Sequence, residues 1–197
     1  PLMCAAASGQ LAVLRKLLDA GALMDAQTAR GATALFLACQ RNHLECAQAL
    51  VAAGAAVDLQ AKGGSTALSI AAQHGFLPIV DCLVSAGNAS VNLAHDGVAP
   101  LALAAQNGHD GVVEFLCEHG AELDRQSERG FTALMCAAIH GRTSTVRLLI
   151  GRGADASLKG DTDRTALDFA EVFKHPETAA VLRAHAASAP EVASPVL

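Results

Sequence analysis

The chain has 197 residues, 52% of them hydrophobic but none of them tryptophan or tyrosine, so it can bury a substantial core made of small aliphatic side chains. It carries 19 acidic against 14 basic side chains, a net charge of -5, and collects no run of five like charges, which argues against a nucleic-acid partner. No apolar run nears the ~20 residues needed to cross a bilayer, and no signal-peptide pattern opens the chain; a soluble intracellular protein is expected, cytoplasmic with the nucleus open to it.

Leucine recurs every 33 residues, at Leu2, Leu35, Leu68, Leu101, Leu134 and Leu167. Gly31, Gly64, Gly97 and Gly130 stand four before it, and Gly21, Gly54, Gly87, Gly120 and Gly153 nineteen after it. Such a period announces a stacked-repeat protein, which builds long surfaces and seldom reaction pockets. Pro1 already falls inside a repeat motif, so the chain is expected to continue something longer, beginning with a partial repeat over 1–28. Repeats follow over about 29–61, 62–94, 95–127 and 128–160, then a capping repeat over 161–185. Residues 186–197 lose the period and read as a disordered tail.

Within each repeat the apolar residues first take helical spacing, as in Leu35, Ala38 and Cys39 or Leu101, Ala104 and Ala105. A break at Asn42, Gly75, Gly108 or Gly141 precedes a second apolar periodicity, such as Val80, Leu83 and Val84 or Val113, Leu116 and Cys117. Each repeat is therefore predicted to hold two short antiparallel helices, an all-α architecture. The second helix should end in a left-handed cap at Gly54, Gly87, Gly120 or Gly153. Polar turn residues follow, with Asp25, Asp58, Asn92 and Asp124, and lead through an extended, hairpin-like connection to the next glycine. Thr33, Thr66, Thr132 and Thr165 are placed to cap the first helix, and Pro1 and Pro100 fall in its first turn. Helices of about ten residues are not stable alone in water, so stacking must supply the stability.

In this pattern the chain resembles the ankyrin-repeat family. The family's Gly-x-Thr-Pro-Leu-His-x-Ala-Ala stretch is matched by Gly31 to Cys39, Gly64 to Ala72, Gly97 to Ala105 and Gly130 to Ala138, and the resemblance spans about residues 1 to 185. A tetratricopeptide array is rejected, because its step is 34 residues and it lacks the glycine-led hairpin. The family histidine after the leucine is replaced in every copy, by Met3, Phe36, Ser69, Ala102, Met135 and Asp168. The third hairpin carries an extra residue around Asn88 to Val91 and loses one before His95. In the last copy Asp163 and Lys174 replace glycines and Arg183 an apolar residue, as suits a water-facing cap.

The residue pattern gives little for chemistry. Cys4 and Cys136 share an inward position of the first helix, Cys39 and Cys117 replace buried aliphatics, and Cys46 and Cys82 lie on second helices; no C-x-x-C or Cys-His cluster offers a metal site. Free, reduced thiols are expected. His43 and His109 fill the family's Gly-His turn position, and Cys136 with His140 has no third orienting group to make it a nucleophile-base pair. No phosphate loop is present. The chain is thus expected to be neither an enzyme nor a cofactor or metal binder. Asn92 lies near the hairpin position where ankyrin proteins of animals can be hydroxylated, but Leu83 is out of step and Ser90 stands where an acid is expected.

The resemblance implies a curved solenoid that binds a protein on its concave face and hairpin tips. Register assigns those positions: Gln40, Gln73, Gln106 and Ile139 five after the leucine, Arg41, His74, Asn107 and His140 six after it, and Val98, Phe131 and Arg164 three before it. The tips add Arg30, Lys62, His95, Asp96, Glu128 and Arg129. A glutamine ladder and an apolar cluster of Phe131, Ile139 and Val98 beside Arg129 and Arg164 stand out. The cluster is either an interface anchor or a surface covered by the C-terminal cap or tail. A monomeric interaction module or scaffold is the expected function. The alternative is a targeting segment of a larger enzyme, a kinase or ubiquitin-ligase component, with its catalytic part upstream of Pro1.

Overall fold

The computed structural model describes residues 1–95 and 97–188. Among these, six helix pairs stack in sequence order. The inner helices are α1 (Leu2–Ala7), α3 (Ala34–Gln40), α5 (Ala67–His74), α7 (Pro100–Asn107), α9 (Ala133–Ile139) and α11 (Ala166–Val172). The outer helices are α2 (Leu11–Asp19), α4 (Leu44–Ala52), α6 (Leu77–Asp81), α8 (Asp110–Glu118), α10 (Thr143–Gly151) and α12 (Pro176–Ser188). Inner helices pack on inner helices and outer on outer, so each repeat is stabilised by its neighbours.

Period and burial coincide. Leu35, Leu68, Leu101 and Leu134 of the inner helices are at most 2% exposed, and Leu50, Leu83, Leu116, Leu149 and Leu182 of the outer helices close the core from the other side. Burial of each such side chain contributes roughly 1.5 to 3 kcal/mol. Fully buried alanines such as Ala38, Ala71, Ala104 and Ala137 let adjacent inner helices approach closely. Leu167, in the last pair, is only partly covered.

The threonines cap as predicted. Thr33 Oγ1 accepts from Phe36 N at 3.1 Å and Thr132 Oγ1 from Met135 N at 3.3 Å. Two of the residues replacing the family histidine complete capping boxes: Ser69 Oγ accepts from Thr66 N at 2.9 Å, and Asp168 Oδ2 from Thr165 N at 2.8 Å. Pro100 opens α7, whereas Pro1 sits one place earlier, at the N-cap of α1.

Two side-chain ladders lock the repeats together. Asp25, Asp58, Asn92 and Asp124 each accept from a backbone N–H of the next repeat: Ala56, Ser90, Glu122 and Asp155 respectively. On the other edge His43, His109 and His175 donate to the carbonyls of Ala7, Gln73 and Ile139, and Arg142 donates to that of Gln106. These rings and the Arg142 stem lie over Gly9, Gly75, Gly141 and Gly108, where an added Cβ would come within 2.5–2.9 Å of them. Among the turns that another repeat follows, the one without glycine is Asn42, and the next repeat carries Phe76 in place of the histidine.

The third repeat departs from the expected layout. The extra residue lies inside the outer helix, not in the hairpin: α6 continues as a π turn over Cys82–Ala86, with Gly87 N donating to Cys82 O at 3.1 Å. The left-handed cap consequently moves from Gly87, whose φ is -89°, to Asn88 at 53°. The compensating loss does fall in the hairpin, where His95 and Val98 exchange both backbone hydrogen bonds, at 2.9 and 2.7 Å. Elsewhere the closure spans one residue more, as between Thr28 and Ala32. Two further corrections concern position. Cys4 is exposed, although its counterpart Cys136 is buried. α12 continues to Ser188, three residues into the expected tail; residues 189–197, like the tip residue Asp96, lie outside the described residues.

Candidate functional site

The inner helices and hairpins line a concave face that carries two grooves three repeats apart. The first, about 470 Å³, has Phe36 and Leu37 in its floor, with Arg30, Lys62, Gln40 and Ser65 around it. The second, about 430 Å³, is lined by Val98, Gln106, Arg129, Phe131, Ile139 and His140, together with Ser127, Glu128 and Cys136. Arg30 and Arg129, Ala32 and Phe131, Leu37 and Cys136, and Gln40 and Ile139 are the same repeat positions 99 residues apart. The second groove is therefore an apolar version of the first.

Seven of the residues assigned by register, Glu128 and Arg129 of the tip among them, thus meet in one place. Phe131 is half-buried, and its ring lies 5.4 Å from that of buried Phe169 in α11. The cap contributes a wall to the cluster yet leaves Ile139 and Val98 partly open. Arg164 is exposed on the next hairpin but does not line the groove. Arg41, Gln73 and His74 are exposed on the same face, with the His74 ring stacked on Phe76 at 5.5 Å. Asn107 turns its amide back to Leu103 O at 2.8 Å. His95 Nδ1 lies 2.8 Å from Gly63 O and from Ser65 Oγ, tying its hairpin to the preceding one.

Register also gives Val172 and Phe173, five and six after Leu167, which continue the Ile139 and His140 positions onto the last inner helix and the turn after it and are 51% and 50% exposed. It did not single out Phe36 and Leu37, which lie in the floor of the first groove. Asn92 is held at both ends of its amide, accepting from Glu122 N and donating to Gly120 O at 3.1 Å. It stands in the inter-repeat ladder.

The buried thiols lack activation. Burial pushes the Cys39 thiol well up, with Cys82 adding to the shift, and pushes Cys136 up to about 11. His140 Nδ1 donates to the backbone carbonyl of Cys136 at 3.0 Å, so the ring is engaged by the helix and not by the thiol. Among the described residues no group of three or more His, Cys, Asp and Glu side chains could hold a metal, and no helix is long and apolar enough to cross a membrane.

Comparison with known proteins agrees with this geometry. A family model described as ankyrin repeats matches three times, over residues 2–95, 53–127 and 122–191. The chain belongs to the ankyrin-repeat family. It is similar to the crystal structure of EF0377, an ankyrin repeat protein, at 29% identity and a TM-score of 0.85, covering 92% of this chain and 96% of that one. It is also similar to an ankyrin repeat domain from Acinetobacter baumannii AYE, at 28% identity and a TM-score of 0.86, covering 94% and 97%. A search of curated proteins gave no match. Ankyrin repeats are in general protein-protein interaction modules and are typically non-catalytic.

Proposed function

We propose that the chain is a non-catalytic recognition module that engages a protein partner through its concave face, with the groove of Val98, Phe131 and Ile139 as the anchoring site. The observation that carries this reading is the partly open apolar groove on a face whose other positions hold Gln, Arg and His. Apolar residues clustered within a polar rim, beside an arginine, have the composition of an interface hot spot. Val172 and Phe173 extend the apolar strip toward the cap. The stack is rigid, its hairpins tied by the Asp and Asn ladder, so little conformational entropy is lost on binding. As a monomeric scaffold in the cytoplasm it would act by display alone.

Affinity capture tests this with three baits: the native chain, a Phe131→Asp, Ile139→Asp double variant, and a Gln48→Arg, Ser85→Arg control on the outer helices. Circular dichroism confirms that each is folded. The reading expects proteins retained by the native and control baits to be lost from the double variant. Retention by all three would reject the groove as the anchor.

A further inference from the structure

The two grooves differ in charge in a way that points to the ligand. Between residues 26 and 44, and again between 59 and 80, the chain contains no Asp or Glu, although it carries a net charge of -5. These segments form the first and second hairpin tips and the inner helices α3 and α5, and they present Arg30, Lys62 and Arg41, all exposed. None of the three is paired with an acid among the described residues. Arg30 and Lys62 flank one groove, and their tips are joined by a 2.9 Å hydrogen bond from Lys62 N to Arg30 O. At the second groove acids return, with Glu128 in its lining and Asp161 and Asp163 on the next hairpin, and the interior becomes apolar.

Resting on the concave-face reading above, we infer that the occupant is a linear peptide segment with two anchors: an acidic residue or pair held between Arg30 and Lys62, and a large apolar side chain seated between Val98, Phe131 and Ile139. An unpaired cation pair over the apolar floor of Phe36 and Leu37 complements a carboxylate whose neighbours are apolar, and the surrounding low-dielectric wall strengthens that attraction over its value in water. Neighbouring helices pack about 8 to 10 Å apart, so three repeats separate the grooves by about 24 to 30 Å. An extended chain advances about 3.3 Å per residue, which puts about 7 to 9 residues between the acidic and apolar anchors. The glutamine ladder lies between them, with Gln40 at the first groove, Gln106 at the second and exposed Gln73 in the intervening repeat. Its amides can both donate to and accept from a peptide backbone without demanding a particular side chain.

Selection from a phage-displayed library of random linear 16-residue peptides tests the inference, followed by affinity measurement of the enriched peptides as synthetic probes. The baits are the native chain, Arg30→Glu with Lys62→Glu, and Phe131→Asp with Ile139→Asp. Expected is enrichment of peptides pairing Asp or Glu with Leu, Ile, Phe or Trp at a separation of about 7 to 9 residues. Each double variant should weaken them at least tenfold, and added salt should weaken the native interaction. Peptides that lose binding only on the apolar variant would overturn the two-anchor ligand while sparing concave recognition. Peptides indifferent to both variants would overturn both. Failure to enrich any peptide would overturn the linear ligand, leaving the capture experiment to decide whether a folded partner uses the face.

Discussion

The two long faces of the stack come from one repeat but use their polar residues differently. On the outer side Arg152 of the C-cap of α10 meets Glu114 at 2.7 Å and Glu118 at 3.1 Å on α8, and Ser85 donates to Asp81 at 2.6 Å within the α6 extension. At the C-terminal end Arg183 meets Glu171 at 2.6 Å. On the concave side Arg30, Lys62 and Arg129 form no salt bridge among the described residues. Exposed apolar residues occur on both sides, Val13 and Leu77 on outer helices and the half-exposed Val172 and Phe173 continuing the concave register. Charges between repeats serve the stack, whereas in the function proposed above those on the concave face are left for a ligand.

The largest effect should come from the spine beneath both faces. Leu101→Ala removes a side chain that is 1% exposed and is expected to cost ~2 to 5 kcal/mol through its cavity, read as a lower denaturation midpoint. An unchanged midpoint would contradict the stacked core. Next is the hairpin ladder. Asn92→Ala leaves Glu122 N and Gly120 O without their partner and should cost about 1 to 2 kcal/mol, with faster amide exchange at Glu122.

A smaller effect concerns Asp168. Hydrogen bonds from the Thr165 backbone N–H, and then from its hydroxyl, hold this carboxyl below the usual range. A depressed carboxylate stabilises the fold above its unfolded pKa of about 3.9, and that contribution disappears as pH falls through the lower folded value. Stability measured down the acid limb should therefore fall less steeply in Asp168→Asn than in the native chain. The smallest change is expected for Arg152→Ala, which cuts the exposed outer-face network: stability should move little, less still in high salt, and peptide affinity not at all.

Sequence alone made the inner helices legible, because each leucine is followed by alanine at helical spacing and four of the six are preceded by a threonine that caps. It also brought seven concave residues to one groove, since a strict 33-residue step turns register directly into position. It misplaced the extra residue of the third repeat for a physical reason. Gly87 preserves the glycine step, so register puts the insertion after it, yet a π turn absorbs a residue without disturbing the sequence pattern, and Asn tolerates the left-handed cap. Burial at the ends was harder to read, because period reports which face a residue occupies and not how many neighbours cover it. Cys4 is therefore open where Cys136 is closed, and Val172 and Phe173 are more exposed than Ile139.

The most direct test is hydrogen exchange on the native chain with and without its captured partner. The account expects binding to slow exchange in the tips around Arg30, Lys62 and Arg129 and at the solvent-facing ends of α3, α5, α7 and α9, while α4, α8 and α10 remain unchanged. Protection confined to those outer helices, or to the π turn at Cys82–Ala86, would contradict it.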